Sequence, residues 1–235
     1  MAERLWALVP ASGVGSRMKA DCPKQYLTIK SRFLIDITCS RLLEVPDISG
    51  VMVVLSVGDQ YWPKTDASDH SQVFTSLGGA ERFNSVLNGL YDLRAMASED
   101  DWVMVHDAAR PCVRVSDVEK LIAVAKVSCG ALLGVPAKDT IKQVRGSTNT
   151  EVELTVERSR IWQAFTPQMF RIGQLIAALE DAINAGSCVT DDASAMELAG
   201  FNPRMVEGAT DNIKVTQPQD LLLAEWLLDQ QCFEQ

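Results

Sequence analysis

Short apolar runs alternate with amphipathic stretches along most of the chain. Leu5 to Val9 reads as a buried strand, and Val51 to Val57, Trp102 to His106 and Ala131 to Val135 repeat that pattern. Between the second and third runs, Phe83, Val86, Leu87, Leu90 and Leu93 recur at steps of three and four, which marks one face of a helix. Val118, Leu121, Ile122 and Ala125 do the same before the fourth run. Strands alternating with helices predict an α/β chain built on a doubly wound, mainly parallel sheet. In such sheets ligands bind outside the carboxyl ends of the strands, where the strand order reverses.

The stretch from Asp139 to Trp162 breaks this rhythm. TIKQV and VELTVERSRIW flank the polar turn RGSTNTE, with no helix between them. This predicts a protruding hairpin arm, and an arm of that kind suits packing on a partner subunit, hence a homodimer. Helices follow over Ile172 to Ile183 and Asp191 to Leu198, then a strand near Met205 and an apolar helix from Pro218 to Leu228. Gly58 to Ser71 reads as a flexible loop. Residues 1–235 are expected to form one domain with the arm, about 139–162, as its excursion.

Composition narrows the class. With 47% hydrophobic and 23% charged residues, disorder and fibrous repeats are excluded. Lys and Arg total 22 against 31 Asp and Glu, a net charge of −9 with no basic run, which argues against a nucleic-acid partner. The longest apolar stretches fall far below the roughly 20 residues of a membrane span, so no membrane partner is expected. The start MAERLWALVP has no secretory layout. Six cysteines without a CxxC pair read as reduced thiols of a cytoplasmic protein. Two histidines, His70 and His106, make a His-rich zinc site or a Ser/His/Asp set unpromising.

Three segments carry candidate chemistry. The first is PASGVGSRMKADCPK, Pro10 to Lys24. A glycine-containing turn after the first strand presents backbone N–H groups that cradle phosphate, and Arg17, Lys19 and Lys24 add positive charge. Met18 stands where a dinucleotide fingerprint needs its third glycine, and no GxxxxGK occurs. The competing reading is a plain strand-to-helix turn. The second is VMVHDAARP, Val103 to Pro111. Asp107 follows an apolar strand directly and suits a Mg²⁺ ion that takes its other ligands from water and phosphates. Arg110 would face phosphate or buttress that carboxylate; the alternative is an ordinary aspartate capping the next turn. His106 reads as a hydrogen-bonded core histidine. The third is ATDNIKVTQPQD, Ala209 to Asp220. Thr216 suits a helix cap, Asp211 is a second candidate carboxylate for the metal, and Lys214 points inward or to water, water being favoured by the pattern alone. GGAERFNSV places two glycines before a helix, suited to close contact with a base or ribose, and VTDDASAME reads mainly as a helix start whose acids the dipole favours.

Together these segments closely resemble the cytidylyltransferases of the non-mevalonate isoprenoid pathway, the 2-C-methyl-D-erythritol 4-phosphate cytidylyltransferase family. PASGVGSRM, CPKQYL, GGAERFNSV, VHDAARP, PAKDTIK, TVERSRIWQAFTPQ, TDDASAME and DNIKVTQPQD occur in order over nearly the whole chain. The resemblance implies a Rossmann-like nucleotidyltransferase fold, with CTP, methylerythritol phosphate and Mg²⁺ as reaction partners. It places Arg17, Lys24 and Lys214 on the phosphates, with Ala11, Ser12 and Gly13 around them. It puts Asp107 on the metal and Gly79, Ala80 and Ser85 on cytosine and ribose. Thr140, Arg158 and Thr166 fall on the acceptor side, with Thr140 and Arg158 on or beside an arm exchanged between subunits. Ser12 departs from the alanine or glycine common in the opening loop, and Ala80 stands where many relatives carry an acid. A sister family using ribitol 5-phosphate shares the glycine loop, the PKQ stretch and the HDA motif. PAKDTIK, TDDASAME and DNIKVT favour methylerythritol phosphate.

Overall fold

Alternate residues of the first strand serve two different cores. In β1 (Leu5–Pro10), Leu5, Ala7 and Val9 belong to one apolar cluster while Trp6 and Leu8 belong to another. A strand buried on both faces lies inside a sheet that is covered on both sides. The computed structural model describes residues 3–13 and 22–233, with side chains through Gln231. Gly15, Arg17, Met18 and Lys19 of the opening turn therefore lie outside the described residues.

Around β1 the chain builds a seven-stranded sheet. β4 (Ile48–Leu55) and β6 (Trp102–Val105) flank β1 in parallel, and β5 (Val73–Leu77) extends the sheet in parallel beyond β4. On the other side β10 (Trp162–Arg171) runs antiparallel between β6 and β7 (Ala131–Pro136), and β11 (Arg204–Glu207) closes that edge parallel to β7. The spatial order is β5-β4-β1-β6-β10-β7-β11. The predicted doubly wound, mainly parallel sheet is present, with one antiparallel strand in its interior.

Helices cover both faces. α1 (Leu34–Leu43) and α3 (Val115–Ala125) pack through Ile35, Cys39, Leu42, Val118 and Leu121 against the Leu5 side. α2 (Arg82–Leu93), α4 (Ile172–Asn184) and α5 (Asp192–Leu198) pack through Val86, Leu90, Leu175, Leu179 and Met196 against the Trp6 side. α6 (Pro218–Phe233) and the small hairpin of β2 (Thr28–Ile29) with β3 (Arg32–Phe33) form a third cluster around Leu34 and Val215. At the start of α6 it is Asp220 that caps, accepting from the Thr216 and Gln217 amides and from the Thr216 hydroxyl.

Two expectations need amendment. Residues 58–71, read as flexible, contain two short 3-10 turns, Trp62–Lys64 and Asp66–Asp69. Asp59 accepts from the amides of Tyr61 and Trp62, and the buried Asp36 of α1 accepts from the Ala67 amide at 2.9 Å. Asp59 also accepts from the Tyr26 hydroxyl at 2.7 Å, so the segment is tied to the body at Asp59 and at Ala67. The arm is a hairpin of β8 (Ile141–Val144) and β9 (Val152–Val156), paired antiparallel as a sheet of its own. Its second strand stops at Val156. A 3-10 turn at Arg158–Arg160 follows, and Trp162 already belongs to the interior strand β10.

Candidate active site

The carboxyl ends of β1, β5 and β6 converge on one cleft. Pro10, Ala11, Ser12 and Gly13 follow β1, Lys24 and Gln25 enter from the next turn, and Arg82, Asp107 and Lys214 complete the lining with Ala108 and Ala109. Backbone bonds hold the opening loop: the Ala11 amide donates to the Val54 carbonyl at 2.8 Å, and the buried Gln25 amide group donates to the Ala11 carbonyl. Ser12 lies 2.8 Å from Ser85, hydroxyl to hydroxyl. Ser85 itself accepts from the Gly79 amide at 3.0 Å and donates to the Glu81 carbonyl at 3.1 Å, so Ser12 is the donor of the pair. A Cβ on Gly78 would come within 2.5 Å of the Ser12 Cβ. The glycine pair before α2 thus permits a close approach of two protein segments, whatever ligand they also meet. Ala80 is exposed beside it.

Asp107 is the centre of charge. Lys214 Nζ lies 2.7 Å from one carboxylate oxygen, Arg110 Nε 3.5 Å from the same oxygen, and Arg82 Nε 3.4 Å from the other. Burial alone would raise the Asp107 pKa, but Arg82, Lys214 and Arg110 overcome it and hold the group well below the carboxylate range. Lys24, Arg82 and Lys214 line the cleft and Arg110 backs Asp107 from the adjoining one, so an acidic chain still presents a local positive field to an anion. Lys214, for which the pattern alone favoured water, points inward instead, drawn onto the Asp107 carboxylate. Arg110 both buttresses Asp107 and donates to the Asn212 carbonyl at 2.7 Å.

The Asp107 backbone is held from below. Its amide donates to the Thr166 hydroxyl at 3.0 Å, and that hydroxyl lies 3.1 Å from His106 Nδ1. His106 Nε2 faces the Arg110 carbonyl at 3.0 Å. The network fits one tautomer: Nε2–H donates to Arg110, and Nδ1 accepts from Thr166. His106 is fully buried, and burial lowers its pKa to about 4. It is the core histidine expected from the sequence, with both nitrogens engaged.

The remaining assignments fall into two groups. Thr166 is 4% exposed, and its hydroxyl serves Asp107 and His106 within the same chain. Thr140 and Arg158 are exposed at the foot of the arm and do not line the cleft, although Arg158 donates to the Lys138 carbonyl. Lys138, Asp139, Arg110, Phe165 and Asn212 line an adjoining cleft that shares Lys214 with the first. Asp211 is not beside Asp107. Its carboxylate pairs with Arg114 at 2.6 Å and with Gln231 at 3.1 Å, which corrects its reading as a second metal carboxylate.

Sequence reasoning passed over Arg82 and its partner Asp192. Arg82 opens α2, where the helix dipole disfavours a cation. An arginine there needs an anionic partner, and that was the available signal. Asp192, read as structural, does open α5 under an Asp191 cap, yet it is fully buried and takes both Arg82 Nη groups at 3.2 and 2.8 Å.

The donor set can be tested against a divalent ion. No three His, Cys, Asp or Glu residues gather to cage a metal among the described residues. A single anionic carboxylate in a cationic cleft instead fits an ion such as Mg²⁺, which keeps few protein ligands and shares phosphate oxygens. The arrangement suits polyanion binding with charge neutralisation and offers no histidine as a base.

Comparison with known proteins agrees with this chemistry. The family model for 2-C-methyl-D-erythritol 4-phosphate cytidylyltransferase (IspD) matches residues 5–230. The protein of that name from Pseudomonas aeruginosa is 49% identical over 219 residues, 92% of this chain and 93% of its own. Its counterpart from Hahella chejuensis is 47% identical over 96% of this chain and 93% of its own. The crystal structure of the Francisella tularensis enzyme superposes with a TM-score of 0.82 at 36% identity, covering 96% of this chain and all of that one. The chain belongs to the 2-C-methyl-D-erythritol 4-phosphate cytidylyltransferase family.

Proposed function

We propose that the protein transfers CMP from CTP to 2-C-methyl-D-erythritol 4-phosphate, releasing pyrophosphate and 4-diphosphocytidyl-2-C-methyl-D-erythritol. The observation that carries this reading is Asp107, a buried carboxylate held anionic by three cations at the strand ends. The acceptor is a phosphate monoester, already anionic near neutral pH, so an oxygen of that phosphate attacks the α-phosphorus without a general base. The bond to the β-phosphate breaks in line, and pyrophosphate leaves with the electron pair. What the protein supplies is positioning and charge stabilisation.

Lys24 and Arg17 neutralise the triphosphate and the charge that builds on the α-phosphorus, with the loop at Ala11, Ser12 and Gly13 beside them. Lys214, shared by both clefts, bridges the nucleotide and the incoming phosphate. Asp107 would hold Mg²⁺, which when bound would supply neutralisation of charge on the phosphates. Gly79, Ala80 and Ser85 meet the cytidine. Arg110 faces the acceptor together with Thr166, through the wall that Thr166 supports. Thr140 and Arg158 reach the acceptor from a partner's arm in a homodimer whose pairing covers the exposed Val144, Val152 and Leu154. Six cysteines without a CxxC pair suit a reducing cytoplasm.

The test is pyrophosphate release from CTP and Mg²⁺ with methylerythritol phosphate or ribitol 5-phosphate supplied in parallel. Release with the first alone is expected. Release with ribitol 5-phosphate alone would retain the triphosphate and metal roles but overturn the acceptor.

A further inference from the structure

Arg82 reaches Asp107 in an unusual posture. Its guanidinium has two faces to offer a carboxylate, and the fork formed by Nη1 and Nη2 is spent on Asp192 at 3.2 and 2.8 Å. Only Nε is left for Asp107, at 3.4 Å, the outer edge of a hydrogen bond. A fork–fork pair is the strongest contact an arginine makes with a carboxylate, so Asp192 holds the better half of the guanidinium. Asp192 cannot follow its partner outward. It is fully buried at the first turn of α5, and Gln168 of β10 fixes that turn by donating to the Asp191 carboxylate at 2.8 Å and accepting from the Ala193 amide at 2.8 Å.

β10 therefore reaches Asp107 by two routes. Thr166 fixes the Asp107 amide directly, and Gln168 fixes α5, hence Asp192, hence Arg82.

We propose that Asp192 is a positioning residue that tethers Arg82 by its fork, keeping the guanidinium from closing on Asp107 and so leaving Oδ1, the oxygen that Lys214 and Arg110 do not take, open to the divalent cation. Without the tether Arg82 turns its fork onto Asp107 Oδ1, 3.4 Å from its Nε, and competes with the metal for that oxygen. The idea rests on the reading of Asp107 as the metal carboxylate.

The experiment measures Mn²⁺ binding by electron paramagnetic resonance, with α,β-methylene-CTP present so that no turnover occurs. Asp192→Asn is expected to weaken Mn²⁺ binding about tenfold and, in the active enzyme, to raise half-saturating Mg²⁺ by a similar factor while the acceptor KM stays within about threefold, since an untethered arginine acts on the metal oxygens. The paired variant Arg82→Gln/Asp192→Asn removes the competitor along with the tether and is expected to bind Mn²⁺ within about threefold of wild type. A structural role for Asp192 would not be reversed by a second substitution. Should Asp192→Asn fail to fold, Gln168→Ala loosens the seat of α5 without leaving a buried charge and is expected to weaken Mn²⁺ binding in the same direction. Unchanged binding in Asp192→Asn, or a paired variant as weak as the single one, would overturn the tether. Asp107→Asn is the control for the underlying reading: if it leaves Mn²⁺ binding intact, the metal assignment fails and the tether with it. If it abolishes binding while Asp192→Asn does not, only the tether fails.

Discussion

Thr166 shows how much one hydroxyl carries here. It accepts from the Asp107 amide and donates to His106, two buried groups with no other partner for those atoms among the hydrogen bonds described. Thr166→Val keeps the shape and removes both bonds, leaving an unpaired N–H, so stability should fall by about 1–3 kcal/mol in urea titrations. kcat should fall as well, because the Asp107 backbone loses its support; a Thr166 that met only substrate would alter kinetics and leave stability untouched. His106 gives a pH signature. Its pKa is about 4 in the fold against 6.5 for the free side chain, so the unfolded chain takes up the proton first. Its contribution to stability is complete above pH 6.5 and is lost as pH falls towards 4, by roughly 3 kcal/mol at most. Urea unfolding at steps between pH 7 and 4.5 should show that decline, and His106→Gln should flatten it. Lys24→Ala belongs to the same scale: removing one preorganised cation should lower kcat by about 100-fold and raise the CTP KM less, measured by pyrophosphate release. At this scale the sequence was readable where a residue acts on its near neighbours, as at Asp107 with Arg110. It was unreadable where partners are remote: Arg82 and Asp192 are 110 positions apart, and no local pattern joins them.

Elements divide along the same line. α2, α3 and α4 were legible because their apolar faces repeat at helical steps against a sheet that demands that repeat. α1 was not, because Asp36 and Thr38 interrupt its pattern. Both are buried, with Asp36 accepting from Ala67 and Thr38 donating to the Ala108 carbonyl at 3.0 Å, so tertiary partners replace the apolar side chains a pattern looks for. β10 was hidden by Pro167, which argues against an interior strand. The ladder to β7 breaks between Ala164 and Gln168, and the proline sits in that break with a cis bond to Thr166. The arm was legible because its alternation stands alone, unbroken by any helix. Its turn is tied by its own bonds, Gly146 N–H to the Asn149 carbonyl and Arg145 to Glu151 at 3.3 Å. Deleting Gly146 to Thr150 leaves Arg145 and Glu151 to close a shorter hairpin, so the body should keep its melting temperature. If the tip anchors a partner, size-exclusion chromatography should show the dimer dissociating, with activity restored at higher protein concentration; an unchanged dimer would assign the contact elsewhere on the arm.

Across the whole molecule, the residues assigned to the reaction fall in two places. Lys24, Arg82, Asp107 and Lys214 converge in one cleft, whereas Thr140 and Arg158 stand exposed outside it. A second copy resolves this if its arm delivers those two residues, and subunit mixing tests the exchange directly. Asp107→Asn disables a cleft and spares the arm; Arg158→Ala disables the arm and spares the cleft. Each homodimer should be nearly inactive. After dissociation and reassembly at equal amounts, half the dimers are mixed, and each mixed dimer joins one intact cleft to one intact arm. About a quarter of wild-type activity should return, the value that twofold symmetry and random pairing require. Arms that served their own subunit would give a different answer: every cleft or its own arm would then be damaged in every dimer, and mixing would restore nothing.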